Sequence, residues 1–288
     1  MAKLRIGTCS WKFASWEGLV YSAPRDINYL EEYAQKYNTV EIDQWFWSLF
    51  GEERSHVRLP NPFTVEDYRA SVADDFRFTV KAPNSLTLTH FYRDKKSDPL
   101  VPNPYFLSPD LTGEFLELLE PLRDTLGPIM FQFGYLNKQM MDSQEQFQEL
   151  LATFINQIPP DYAYALETRN SQYLNAAFFE FLNRNGIIPV FLQGYWMPSI
   201  VEIYEQWRSL IVHQVTVVIR LHGPDRQGIE KLTGKEWDQV VAAKDDELRS
   251  IADMVKDLLS EGINVYLNVN NHYEGSAPLT IARIEQLL

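Results

Sequence analysis

Short runs of apolar, β-branched and aromatic residues alternate along the chain with longer stretches in which apolar residues recur every three or four positions. The first pattern suits a strand buried on both faces, the second a helix with one apolar stripe. Eight strand-like runs are legible: LRIGT (4–8), TVEID (39–43), FRFTVK (76–81), PIMFQF (128–133), YAYALE (162–167), IIPVFL (187–192), VTVVIRLH (215–222) and NVYLNV (264–269). Helical stripes lie between them. One is set by Ile27, Leu30, Ala34 and Tyr37, a second by Phe147, Leu150, Leu151, Phe154, Ile155 and Ile158, and a third by Leu248, Ile251, Ala252, Val255, Leu258 and Leu259. Gly186 and Gly262 each follow a helical stretch and precede a strand, where a left-handed residue ends a helix. This alternation predicts a parallel sheet with crossover helices. Eight pairs and no GxGxxG turn favour a closed α/β barrel of the (β/α)8 TIM type over an open doubly wound sheet.

Length agrees with that count. The chain has 288 residues, and such barrels run to about 250 as one unit, so residues 1–288 are expected to form one barrel domain. The pattern lapses over residues 82–110, which carry five prolines and no sustained period. They predict a long functional loop after the third strand, over the barrel mouth. No run approaches the roughly 20 apolar residues of a membrane helix. The first residues pass from a lysine straight into a strand without an apolar leader, from which a cytoplasmic protein is expected. The single cysteine, Cys9, excludes an internal disulfide and a cysteine-based zinc cluster, and reads as a small buried residue. A formal net charge of −13 disfavours broad attraction to nucleic acid or to a membrane, while leaving room for a small basic pocket.

Candidate chemistry follows from parity, because alternate strand residues share a face. In the seventh strand Val217, Ile219 and Leu221 are expected to face the helices, and Val218, Arg220 and His222 the interior. The same rule turns inward Glu41 and Asp43, Lys81, Gln132, Glu167 and then Arg169, and Asn268 and Asn270. These polar groups gather at the C-terminal strand ends, where barrel enzymes hold their active sites. A buried charge without compensation costs several kcal/mol, so they must pair with one another, as a structural ion-pair layer, or meet a ligand. Glu41, Glu167 and His222 are the catalytic candidates. Lys81, Gln132, Arg169, Arg220, Asn268 and Asn270 are the binding candidates, with Asp43 and Arg169 entering the loops as oriented groups.

Two further clusters bear on the ligand. Arg220, Lys81 and Arg169 suit a phosphate or carboxylate, and Gly223 and Gly275 stand near helix starts where barrels seat phosphate, unless they merely serve tight turns. Trp11, Phe13 and Trp16, then Trp45, Phe46 and Trp47, then Tyr195 and Trp196 follow strand ends and form either a rim for stacking sugars or bases or a seal beneath long loops. A mixed metal set of His90, His222, His272, Glu41 and Glu167 lacks any HxH, HxD or HExxH spacing. No cofactor is required by the sequence, and a divalent metal is the lesser reading. His56 and His213 are expected at the surface.

The blocks IGTCSW with Trp16, Gly18 and Tyr21, TVEI, FTVKAP with Thr89 and His90, FQF, ALETR, IRLHG and NVNNHYEGSAP occur in that order over nearly the entire chain. In this the chain resembles the YecE-like proteins, domain of unknown function family 72. The resemblance implies a TIM-type barrel with a polar mouth and no particular reaction; likeness of that fold to barrel endonucleases of the abasic-site type is an analogy toward nucleic-acid handling. It implies Gly7, Trp11, Glu41, Lys81, His90, Gln132, Glu167, Arg169, Arg220, His222, Gly223 and Asn271 as the positions of interest. The chain departs from the family pattern at Gln44, Trp45 and Trp47, where small polar residues and a tyrosine are usual, and at Gln193, where an aspartate is usual. The combined expectation is a hydrolase for a small anionic phosphate- or sugar-containing substrate. Arg220 and Lys81 would hold the anion, Glu41 or Glu167 act as base and His222 as acid. The alternative is a non-catalytic nucleic-acid or nucleotide binding protein.

Overall fold

The computed structural model describes every residue except 50–56, 94 and 96. Eight parallel strands close in sequence order into a barrel: β1 (Leu4–Cys9), β2 (Thr39–Ile42), β3 (Arg77–Lys81), β4 (Leu126–Phe133), β5 (Tyr164–Thr168), β6 (Ile188–Gly194), β7 (Thr216–Gly223) and β8 (Asn264–Val269). Among the described residues nine helices surround it: α1 (Tyr29–Lys36), α2 (Pro62–Ala70), α3 (Pro109–Leu118), α4 (Gln144–Ile155), α5 (Ala176–Asn185), α6 (Ile200–Ile211), α7 (Arg226–Thr233), α8 (Asp245–Ser260) and α9 (Ala277–Glu285). The expected (β/α)8 barrel is present, with each strand within a few residues of its predicted span. Local chemistry sets the helix ends. Asn28 accepts from the Leu30 and Glu31 amides at the start of α1, Ser143 accepts from Gln146 at the start of α4, and left-handed Gly186 (φ 62°) ends α5.

Strand parity sorts the two faces as expected. Val217, Ile219 and Leu221 join the large outer core between sheet and helices, whereas Val218 packs inside the barrel with Met130, Ala165, Ile188 and Val190, against Tyr266. That inner plug is small and apolar. It occupies the strand middles and leaves the C-terminal ends to the polar side chains. Leu150 is the exception among the helical stripes, since it is exposed on the solvent side of α4.

The long segment after β3 does overhang the mouth. It turns through a short 3-10 element, Asn84–Leu86, and folds back where His90 bridges Pro102. Asn103 pins it by donating to the carbonyls of Ser85 (2.8 Å) and Leu88 (2.6 Å). His213 is exposed, as expected, and His56 lies outside the described residues. No helix among the described residues is long and apolar enough to cross a membrane.

Gly7 lies where β1 meets β2. A Cβ there would stand 1.9 Å from the Thr39 carbonyl oxygen, backbone that has no freedom to move aside. Gly7→Ala is therefore expected to destabilise the chain by about 3 kcal/mol, read as a lower urea midpoint at unchanged slope.

Candidate functional site

A cavity of about 560 Å³ opens at the C-terminal ends of the strands. Arg220 forms its floor. The register places Cys9 beside Glu41, Gln132 beside Glu167, and Arg220 beside Asn268, so residues from β1, β2, β4, β5, β7 and β8 arrive at nearly one level. The Arg220 guanidinium donates through Nε and Nη2 to both oxygens of Glu41, each at 2.7 Å. Its Nη1 donates to Glu167 Oε2, and to Gln132 Oε1 at 3.3 Å. Asn268 supports the layer from β8, donating to Thr79 Oγ1 at 2.9 Å and Glu41 Oε2 at 3.4 Å.

This triad is fully buried. Burial alone would drive the Arg220 proton off, but Glu167 and Glu41 outweigh it and hold the guanidinium charged. Burial likewise pushes the Glu167 carboxyl up, yet Arg220, Arg169 and Lys81 together leave it below the usual carboxylate range. Two carboxylates are thus committed to one cation by directed, charge-assisted bonds. Neither lines the cavity.

The groups above the floor have fewer partners. Lys81, at the end of β3, is 9% exposed and lies with Nζ 3.8 Å from the centre of the Phe46 ring. Among the described residues it has no carboxylate within ion-pair distance. Burial, reinforced by the Arg220 charge, pushes its ammonium down to about 8 against the pull of Glu41, Glu167 and Asp43. Arg169, just past β5, uses only Nε on Glu167 (3.3 Å) and stacks over the Tyr195 ring at 4.6 Å. Asp43, one residue beyond β2, also lines the cavity, and burial together with Glu41 raises its carboxyl. His222 has Nε2 3.6 Å from Cys9 Sγ and Nδ1 3.2 Å from the Tyr195 hydroxyl. Burial, then the Arg220 and Lys81 charges, hold its imidazole well below its ordinary value.

Backbone strain coincides with this mouth. Ser10 (φ 72°) and Tyr195 (φ 55°), which follow β1 and β6, are non-glycine residues in the left-handed region, and both line the cavity. For a tyrosine that conformation costs on the order of 1 kcal/mol. It aims the Tyr195 ring at Arg169 and its hydroxyl at His222. Nothing in the sequence signals either strained position.

The structure sets several of the expected residues apart from the cavity. Burial and the neighbouring cations disfavour the protonated imidazole of His222, which counts against the acid role expected of it. Asn268 is buried and does not line the cavity. Trp11 is buried with its ring edge-on to Tyr68 at 5.0 Å, and Trp16 and Trp45 are buried too, so of the expected rim only Phe13, Phe46, Trp47 and Tyr195 reach the mouth. His90 holds Thr89 Oγ1 (2.9 Å) and faces a neighbouring pocket under the long loop. Gly223 and Gly275 serve close backbone approach: a Cβ on Gly223 would meet the His272 carbonyl at 2.5 Å, and one on Gly275 the Gln239 carbonyl at 2.6 Å. The adjoining helix starts are already capped, α7 by Asp225 and α9 by Asn271. Gln132, Asn270 and Asn271 do line the cavity. Among the described residues no three His, Cys, Asp or Glu side chains converge as metal ligands.

The departures from the family pattern fall mostly away from the site. Gln44 donates to the Tyr68 hydroxyl, Trp45 stacks on Tyr68, and Gln193 binds Glu247 (2.7 Å) and the Ile200 amide (3.0 Å) on the helical side. Trp47 alone among the four changes the mouth.

Removing Arg220 would strand two buried carboxylates. Arg220→Met is expected to lower stability by about 3–5 kcal/mol in denaturant titrations, and adding Glu41→Gln and Glu167→Gln to restore most of it. His222 adds a pH dependence with a definite sign. Below pH ~6.5 the unfolded chain binds a proton that the folded chain refuses. Stability should therefore fall by about 1.4 kcal/mol per pH unit until the folded imidazole protonates, and His222→Gln should remove that part of the slope.

The fold has known counterparts. Over 170 residues the chain is 28% identical to the UPF0759 protein YecE of Escherichia coli strain K12, an alignment that covers 58% of this chain and 49% of that protein. The chain thus spans about half the length of the curated relatives it matches. A DUF72 family protein from Enterococcus faecalis V583 superposes with a TM-score of 0.69 at 18% identity, covering 99% of this chain and 95% of that one. Another, from Thermotoga maritima MSB8, gives 0.68 at 21% identity, covering 99% and 98%. The family described as "Protein of unknown function DUF72" matches residues 5–288, and the chain belongs to that family.

Proposed function

We propose that the barrel mouth is the active site of an enzyme that binds a small anionic substrate through Arg169 and transforms it by proton transfer involving Asp43 and Lys81. The observation that carries this reading is the contrast between floor and rim. All three nitrogens of Arg220 are engaged by Glu41, Glu167 and Gln132, whereas the two terminal amino groups of Arg169 have no partner among the described residues, and Arg169 borders the cavity. A guanidinium with free forked donors in a recess is suited to a carboxylate or phosphate. Asp43 is shifted up and Lys81 down, toward each other, which suits an acid and a base that exchange protons near neutral pH.

This reading keeps the anionic substrate expected from the sequence and moves the chemistry. Glu41 and Glu167 are bound to Arg220 and lie behind it, so a hydrolysis with either as base would first require breaking the floor. For a hydrolase on this site Asp43 is the better water-activating group. The nucleic-acid alternative has exposed Trp47 and Tyr92 in its favour. Against it, a phosphodiester strand requires a track of cations, while the cavity rim presents Arg169, Lys81 and an Arg226 already paired with Glu230, within a chain of net charge −13.

Inorganic phosphate and small carboxylates are expected to raise the unfolding temperature of the native chain, and Arg169→Gln to remove at least half of that rise. A flat response, or one indifferent to Arg169, removes the reading. With any substrate found by screening phosphorylated and carboxylated small molecules, Asp43→Asn should lower kcat by about 10²–10⁴ while KM changes little.

A further inference from the structure

Lys81 stands out among the charged groups of the mouth because Glu41 and Glu167, the carboxylates that act on it most strongly, are already taken. Glu41 gives both oxygens to Arg220, and Glu167 is shared between Arg220 and Arg169. What remains beside the Lys81 amine is the face of Phe46 at 3.8 Å, which favours a cation weakly and accepts no directed hydrogen bond. The buried Arg220 guanidinium adds like charge from below. The stem of Lys81 is fixed by β3, and its amine opens into the same cavity as Asp43 and Arg169. A desolvated lysine beside a second cation, facing a water-accessible recess, is the arrangement that turns an ammonium into a nucleophile.

We infer that Lys81 is a covalent nucleophile that captures the carbonyl carbon of a small aldehyde or ketone carrying a carboxylate or phosphate, forming an imine. This rests on the proposed anion-binding mouth and names its substrate class. Arg169 seats the anionic group. The Nζ lone pair attacks the carbonyl carbon, a C–N bond forms, and the carbonyl π pair moves to oxygen. That oxygen takes a proton from the Asp43 carboxyl, and the nitrogen returns one to the Asp43 carboxylate, giving the neutral carbinolamine. The hydroxyl then takes the Asp43 proton and departs as water while the nitrogen lone pair closes the C=N bond. The product is a protonated imine, with Asp43 left as carboxylate. In that state Asp43 is ready to remove a proton from the adjacent carbon, the electron pair passing into the imine to give an enamine. No oxidant or reductant is involved. With its amine at about 8, Lys81 has on the order of a hundredfold more neutral amine at pH 7.5 than an ordinary lysine.

The test is borohydride trapping on the full native chain. Pyruvate, glyoxylate and dihydroxyacetone phosphate are the anionic probes and hydroxyacetone the uncharged control, each followed by intact mass and peptide mapping. The expected result is one reduced adduct per chain at Lys81 with at least one anionic probe, at least tenfold above the mean of the other lysines. The uncharged control should label Lys81 less, and Lys81→Arg should abolish the adduct. Comparing the carboxylate and phosphate probes identifies the anionic group. Absence of a Lys81 adduct with all three anionic probes, or labelling spread evenly over surface lysines, overturns the inference. Because the mapping uses the unaltered chain, its outcome does not depend on whether a variant folds. If phosphate still stabilises the chain through Arg169 while no adduct forms, the imine is wrong and the anion-binding mouth stands; if neither occurs, both fall.

Discussion

The Arg220 guanidinium, held between Glu41 and Glu167 inside the barrel, is the interaction on which the rest of the mouth depends. Three charges have been withdrawn from water, and each would be costly alone. Together they carry one net negative charge, engage all three nitrogens of the arginine, and tie β7 to β2 and β5 across the barrel. The apolar plug of Met130, Ala165, Val190 and Val218 below cannot supply such bonds, so the layer must satisfy itself and its neighbours. Gln132 adds an acceptor for Arg220 and Asn268 a donor to Glu41. A layer so closed is suited to fixing geometry and poorly suited to chemistry.

That closure governs what lies above. Because Arg220 engages both glutamates, Lys81 has no carboxylate within ion-pair distance among the described residues, and Asp43 faces a desolvated recess in which its own charge is disfavoured. His222 is held neutral between the thiol of Cys9 and the hydroxyl of Tyr195. The thiol itself is pushed up by burial and by Glu41, which makes it a poor nucleophile. The reactive character of the rim is therefore a consequence of the inert character of the floor. Strained backbone at Ser10 and Tyr195 belongs to the same division, since it lies where the strands end and the side chains must turn over the cavity.

The aromatic residues show how one composition serves two ends. Trp11, Trp16, Trp45 and Tyr68 bury their rings together or against neighbouring aromatics and anchor the loops after β1 and β2. Phe46 and Trp47 are adjacent to Trp45, yet Phe46 faces Lys81 and Trp47 is 62% exposed beside the long loop. In a loop without regular alternation, successive side chains are distributed by whatever packing the neighbouring elements offer. Proximity in sequence then says little about a shared role.

The eight strands, their order and the inward face of each are legible in the sequence, because strand parity and helical periodicity are local rules that a closed barrel leaves intact. Hence parity alone suffices to turn Glu41, Lys81, Gln132, Glu167, Arg220 and His222 toward the interior. Which of them faces a ligand is not legible. Arg220 and Glu41 are 179 residues apart, and whether Glu41 pairs with Arg220 or with Lys81 depends on strand register and tilt across the closed barrel. Asp43 and Arg169 lie one residue past their strands, where parity still turns them inward but only tertiary packing fixes their partners. Sequence determines a direction for each strand side chain, whereas the pairing among buried charges is decided by competition, and competition exists only once every partner has been brought to the same level.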